Sequence, residues 1–454
     1  MQKARLLLVL VLALAATLSA AAQDAAPDPA PAAVDESPWK LPAPGSCTRA
    51  ADASEDAPAG SELRPGTTVG YAELPELEPY LPPEIWALRD DFFYEGMQLE
   101  VGPCFRDYAP PAFFREATRR FRGQAQLGED GSLVGYTAGL AFAPASIEPD
   151  DPKAGIKWAW DSLTRYGAGG RFGNIRITTV AAERTGSLFR GEYFMVPIMG
   201  RSDRAEDEFR FPTKLSAIWV GGGETKDIRG DKCSWRQYGY MDRRPELAIY
   251  DPERRSVRRA FPLNNESPVP ICRIDGQEGF FFRGGFPLLY TWKFLGVRDV
   301  LAPINARTPA YPEDKNRNFG PLQVSFADDR WELRRALVVE GTVTEPDPAD
   351  GASRFIWYYD LQTLTSLYYI SYRKDQSLGA AGYFVGRWSE DRPDYPRWND
   401  DPERQLRVID TVGAAIVDKT QNNIVRLEAW DTVASPPSDR KVKRMLSQSG
   451  LRGR

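Results

Sequence analysis

Apolar and polar residues alternate along the stretch that begins at Trp331. Trp331, Leu333, Leu337, Val339 and Val343 fall on one parity, and Glu332, Arg334, Glu340 and Thr342 on the other. A period of two predicts a strand with one buried face and one wet face. After a turn-rich interval, TEPDPADGAS, come two aromatic-rich runs, RFIWYYD and TSLYYISYR, separated by a short turn after Asp360. Three such strands joined by short connections predict an antiparallel meander, one face of which must be covered.

The same signature recurs from residue 174 to 433. NIRITTVAAERT with SLFRGEYFMVPIMG, then KLSAIWVGG, SWRQYGYM and ELAIYDPERRSVRRAFPL read as strands. LLYTWKFLGVRDVLAPIN reads as a strand pair, AGYFVGRW as one more strand, and RVIDTVGAAIVD with NNIVRLEAWDTV as a hairpin across Lys419 to Gln421. Gly221-Gly222-Gly223 and Ala168-Gly169-Gly170 read as glycine turns. Upstream the period changes. Pro82-Pro83 opens a short helix and Pro110-Pro111 introduces AFFREATRRFRG, a helix with a basic outer face. In the helix predicted over 151–166, Ile156, Ala159, Trp160 and Leu163 recur at i, i+3, i+4 and i+7 and form one apolar stripe. Strands in runs beside segregated helices predict an α+β fold. The expectation is a large curved antiparallel sheet of about ten or eleven strands, a half-open β-barrel, with N-terminal helices over its concave face. A curved sheet too large to fill with its own side chains would enclose an apolar cavity. Its expected lining is Trp160, Leu163, Trp292, Trp331, Leu333, Leu337, Val339, Trp357 and Tyr359.

The ends of the chain read differently. Lys3 and Arg5, an apolar run from Leu6 to Leu18 and Ala20-Ala21-Ala22 predict a cleaved signal peptide over 1–22. An uncleaved anchor helix is the alternative, for which the apolar run is short. Residues 23–70 are rich in Ala and Pro and read as a flexible tether. A single domain is expected over 71–433, and a basic, loose or weakly helical tail over 434–454. Cys47, Cys104, Cys233 and Cys272 suit an oxidising compartment, and the nearest-neighbour pairing Cys47–Cys104 with Cys233–Cys272 is favoured among three connectivities.

Composition narrows the chemistry. The chain has no histidine, which excludes Ser-His-Asp and Cys-His catalysis and His-ligated metals. A net charge of −5 does not suit nucleic-acid binding, so the RRSVRR cluster reads as a solvated hairpin edge. No nucleophile elbow, phosphate loop or dinucleotide fingerprint occurs. The acids of DYPRWNDDPE (Asp394, Asp400, Asp401, Glu403) leave a carboxylate-based hydrolase as a remote alternative. No cofactor, metal or enzymatic activity is expected. A mean hydropathy of −0.45 and arginines across many strands argue against an outer-membrane barrel.

Several short motifs, in order, resemble a known family. They are Phe113-Phe114-Arg115-Glu116-Ala117-Thr118-Arg119-Arg120, the helix with Trp158 and Trp160, and Tyr250-Asp251-Pro252 through Val257-Arg258-Arg259-Ala260. Tyr290-Thr291-Trp292-Lys293 to Pro303-Ile304-Asn305 follows, then Trp331-Glu332-Leu333-Arg334-Arg335 to Val338-Val339-Glu340-Gly341-Thr342. Over residues 100 to 400 the chain resembles domain of unknown function 1329, a branch of the LolA/LolB-like lipoprotein-carrier superfamily. The resemblance implies a half-open barrel plugged by helices that holds a lipid or other hydrophobic small molecule. It also implies partnership with an RND/MMPL-type transporter or an outer-membrane protein, in outer-membrane biogenesis or transport. A ligand-free scaffold or assembly factor of an envelope complex is the alternative.

Overall fold

Alternation produces strands nearly everywhere it predicts them, and most join one sheet. In the computed structural model the strands are β1 Thr68–Val69, β2 Leu99–Val101, β3 Gln126–Leu127, β4 Leu133–Val134, β5 Arg171–Ala181, β6 Gly186–Pro197, β7 Ala217–Lys226, β8 Lys232–Tyr240, β9 Glu246–Asp251, β10 Ser256–Ala260, β11 Tyr290–Ala302, β12 Arg330–Val343, β13 Ala352–Asp360, β14 Ser366–Arg373, β15 Leu378–Trp388, β16 Ile409–Asp418 and β17 Asn423–Val433. The helices are α1 Pro83–Ala87, α2 Arg89–Phe92, α3 Ala112–Arg120, α4 Ala154–Thr164 and α5 Asp439–Leu446. The structure describes residues 41–45, 47, 63–181, 186–201, 209–211, 214–251, 254–260, 286–308, 317–344, 352–392, 406–420, 422–433, 438–447 and 451.

Fifteen strands form one open sheet in the order β1-β2-β12-β13-β14-β15-β16-β17-β5-β6-β7-β8-β9-β10, with β11 also paired to β12. All its neighbours are antiparallel except β2 and β12, which run parallel at Glu100–Arg330 and Val101–Trp331. The C-terminal hairpin β16–β17 lies between the two sequential blocks: β17 pairs β5, and β16 pairs β15. The count exceeds ten or eleven partly because β1 and β2, with two and three residues, are too short to leave a periodic trace.

Three expectations need correction. The 288–305 stretch forms one thirteen-residue strand, β11, with a register shift between Phe294 and Gly296, and not a strand pair. Gly221-Gly222-Gly223 is no turn. β7 runs straight through it, because a Cβ at Gly222 would lie 2.6 Å from the Trp235 carbonyl and one at Gly223 2.5 Å from the Trp235 ring. The absent side chains let Trp235 of the next strand lie across β7.

The wet face of β12 does not exist at its first half. Glu332 and Arg334 are fully buried, because the chain entering from β2 covers them. The Tyr108 hydroxyl donates to Glu332 at 2.7 Å, while Arg334 donates to Asp360 at 2.7 Å and to the Arg106 carbonyl at 2.6 Å. Burial raises the Glu332 carboxyl above its ordinary value despite the hydrogen bond from Tyr108 and the nearby Arg334, Arg330 and Arg106 charges.

Parts of the terminal stretches pack against the rest of the chain. Leu63 and Val69 are buried within the stretch read as tether. Cys47 is joined to Cys104 with Cα atoms 5.3 Å apart. Cys233 is buried in β8, and Cys272 lies outside the described residues, as do the acids of 394–403. In the tail, Ser438 caps α5 by accepting the Lys441 N–H at 3.3 Å. The helix buries Val442 in a small cluster with Phe194, Val196, Phe211 and Tyr240. Arg236 ties it down, donating to the Met445 carbonyl at 2.9 Å; burial pulls this guanidinium down to about 10. The basic hairpin behaves as expected of an edge: Arg254 and Arg258 lie 3.9 and 3.7 Å from Asp251.

Candidate ligand site

The covering helix α4 sits unusually close to the sheet. A Cβ on Gly155 would come within 2.8 Å of the Lys293 backbone, so only glycine lets the helix lie directly on β11. Trp158, Ala159, Trp160, Leu163 and also Asp161, Ser162 and Thr164 are buried, so the helix is enclosed almost all round rather than along one stripe. Its polar residues hold the neighbouring loop: Thr164 accepts the Ala141 N–H at 3.1 Å and Asp161 accepts the Phe142 N–H at 2.8 Å. Among the described residues the second carboxyl oxygen of Asp161 has no hydrogen-bond partner, and burial pushes its titration well above the carboxylate range.

Sequence reasoning chose nine lining residues, and all are buried. They do not form one surface. Trp331 and Leu333 belong to the core built with residues 63–108, the Trp331 ring lying 5.7 Å from Phe93 and 4.9 Å from Tyr383. Val339 and Leu337 stand opposite Trp357 and Tyr359 across the β12–β13 ladder. Trp292 packs on Trp357 at 5.1 Å and donates to the Pro287 carbonyl. Trp160 donates to the Gly131 carbonyl at 3.0 Å. Eight of these residues fill space with one another and with the covering chain. Leu163 alone lines a described cleft.

Open space lies instead where α4 ends. The helix stops at Thr164 because Arg165 turns to extended backbone, φ −54 and ψ 156. The chain then crosses to β5 through Tyr166-Gly167-Ala168-Gly169-Gly170, with Ala168 in the left-handed region at φ 49 and Gly170 at φ 151. The Tyr166 ring packs between two rings of α3, Phe113 at 5.7 Å and Phe114 at 5.4 Å. This strap and α3 form a partition. Phe114, Arg165 and Tyr166 line both a cleft toward β6–β7, with Tyr136, Ile218 and Trp219, and a cleft toward the β13–β14 turn, with Tyr108, Leu364 and Ile409.

Each cleft offers about 30 Å³, room for one or two waters, against roughly 300–1,000 Å³ for a drug-sized ligand. Both are mainly apolar. Their charged lining residues are arginines: Arg165 and Arg201 in the first, Arg165 and Arg407 in the second. Arg407 is 3.3 Å from Glu390 and 3.8 Å from Asp107. Such surfaces can bind and exclude water. Among the described residues no group of three or more His, Cys, Asp or Glu could hold a metal. Nothing in periodicity marks Arg165 or Arg201; the one available sign was the glycine run at 167–170, which reads as an ordinary turn.

A family model described as a protein of unknown function, DUF1329, matches residues 75–385. Among solved structures, the chain is similar to a DUF1329 family protein from Desulfovibrio piger, with 9% identity, 66% of this chain and 99% of that one covered, and a TM-score of 0.41. It is similar also to a LolA superfamily protein from Nitrosomonas europaea, with 12% identity, 64% and 95% covered, and a TM-score of 0.34. No curated protein matches it. No described helix is long and apolar enough to cross a membrane.

Proposed function

This chain belongs to the DUF1329 family, and we propose that it is a periplasmic carrier for a lipid or other hydrophobic ligand, working with an envelope transporter. The observation that carries this reading is the partition of two apolar clefts by one short, glycine-flanked strap. On this reading Tyr166, packed on Phe113 and Phe114, swings aside to join the two clefts that it lines. The glycines at 167, 169 and 170 give the chain the backbone freedom such a movement needs. Export is supported by the signal-peptide pattern over 1–22 and by the Cys47–Cys104 disulfide, which persists in an oxidising compartment.

Native mass spectrometry of protein released gently from the periplasm tests the reading. The expected result is a mature chain beginning at Gln23 with a bound apolar adduct that organic extraction removes. Chemical cross-linking in cells is expected to recover an RND/MMPL-type transporter or an outer-membrane protein.

One observation favours a second reading, a scaffold with no ligand of its own. The rings of Tyr290, Trp292, Phe355 and Trp357 fill the region that a preformed cavity would occupy. Transporter recovery that survives Tyr166→Trp, together with no adduct, would select it.

A further inference from the structure

We infer that the outer face of α5 is a docking surface for an anionic phospholipid bilayer, which it holds by charge and not by insertion. The inference rests on the export part of the reading above and not on the ligand. Residues 434–454 hold six lysines and arginines and one acid, in a chain whose net charge is −5. The helix sorts this charge by face. Val442, Met445 and Leu446, at i, i+3 and i+4, lie on the cluster of Phe194 and Tyr240. Arg440, Lys441, Lys443 and Arg444 are exposed, Lys441 lying 3.7 Å from the centre of the Phe172 ring. Among the described residues, Arg440, Lys443 and Arg444 meet no carboxylate.

The seat of the helix makes this a surface. Ser438 caps it and Arg236 donates to the Met445 carbonyl at 2.9 Å, so the cations are held outward as a fixed array. Its apolar stripe already lies on the sheet, which leaves nothing to bury among acyl chains. What α5 offers a bilayer is charge. On the export reading the extended anionic surface within reach is a membrane, whose head groups meet several cations of one short helix at once. The rest of the chain, being acidic, is repelled by that surface, so α5 also sets the orientation. The basic helix α3 is the weaker candidate, because Arg119 is paired with Glu116 at 2.5 Å and Arg120 lies over the Phe121 ring. In β7, Ala217 and Val220 pack in the cluster under α5, whereas Ile218 and Trp219 line a cleft, so docking uses the face away from that cleft.

The test is co-sedimentation of the full mature chain with vesicles of phosphatidylcholine alone or of an equal mixture of phosphatidylcholine and phosphatidylglycerol. Binding to the mixed vesicles is expected to be at least about tenfold tighter than to the neutral ones, and to be lost at high salt. A triple variant with Arg440→Gln, Lys443→Gln and Arg444→Gln is expected to weaken it about tenfold or more. The charge-keeping set Arg440→Lys, Lys443→Arg and Arg444→Lys should retain it. Removing equal charge from α3, by Arg115→Gln, Arg120→Gln and Arg122→Gln, should leave most of the binding in place. Equal binding to both vesicles overturns the inference, as does wild-type binding by the folded α5 triple variant or an equal loss in the α3 variant. Binding that survives high salt replaces the electrostatic contact by insertion and overturns it too. If polyglutamate competes as well as the mixed vesicles at equal charge, the surface suits an acidic protein and the bilayer assignment fails. Should the triple variant not fold, the wild-type lipid and salt series decides by itself. No hydrophobic ligand enters this assay, so its failure leaves the carrier reading standing.

Discussion

In the β11–β14 block, rings of β11 and β13 meet across the strand between them, β12. Trp292 lies 5.1 Å from Trp357, Phe355 stacks 5.5 Å from Trp357, and Tyr290 meets Trp357 edge-on at 5.3 Å. In the β6–β8 block neighbouring strands approach closely over glycines. Gly223 lies beneath the Trp235 ring and Gly239 beneath the Trp219 ring, where a Cβ would come within 2.7 Å. Rings of β11, β13 and β14 pack on one another in the first block. Ile218 and Trp219 of β7 line a cleft in the second. On the carrier reading, the ring-packed half stays rigid while the glycine-bearing half yields to a guest.

The strongest way to break the comparison is to damage the ring-filled half. Trp357→Ala should cost about 3–5 kcal/mol through the cavity it leaves. Arg334→Met should cost a similar ~3–5 kcal/mol by leaving Asp360 buried without its partner. Urea unfolding with the disulfide intact measures both, and a loss below about 1 kcal/mol in either would mean that this half is loosely packed.

An intermediate effect should come from pH acting on α4. The folded Asp161 carboxyl titrates well above the unfolded value of 3.8, so its contribution to stability is fully present below that value. It is lost as the pH rises from there through the raised folded value. Asp161→Asn keeps an acceptor for the Phe142 N–H and removes the ionisation. The variant should match the wild type near pH 4 and exceed it at pH 8. Thermal unfolding that shows the same difference at both pH values would remove Asp161 from the account.

In the glycine half, Gly222→Val should cost about 1–3 kcal/mol through overpacking against Trp235 and Arg236. The smallest loss, about 1–2 kcal/mol, is expected for Val442→Ala, which thins the contact between α5 and its cluster. A larger loss for either than for Trp357→Ala would reverse the proposed order of rigidity.

Much of the sheet was legible because period-two patterning is a local property. β12, β13, β14 and the β16–β17 hairpin stand where alternation and turn residues place them. The family, too, is read from short motifs in order, and the match over 75–385 agrees. What failed were inferences about which face of a strand its neighbours cover. Glu332 and Arg334 look wet from their own strand and are buried because a chain segment some 220 residues away brings Tyr108 and Arg106 over them. Gly221 to Gly223 look like a turn and are a strand because Trp235 needs the space.

The candidate site shows the same limit. The sequence determined which residues are apolar enough to line an interior, and all nine expected lining residues are buried. Only the tertiary structure decided that Trp331 and Leu333 face the N-terminal segment and that Trp292 fills space beside Trp357. It also placed the remaining room beside Phe114, Arg165 and Tyr166. Burial follows from a residue's own hydrophobicity, whereas a cavity is what remains after all neighbours have been placed, and no window of sequence contains that sum.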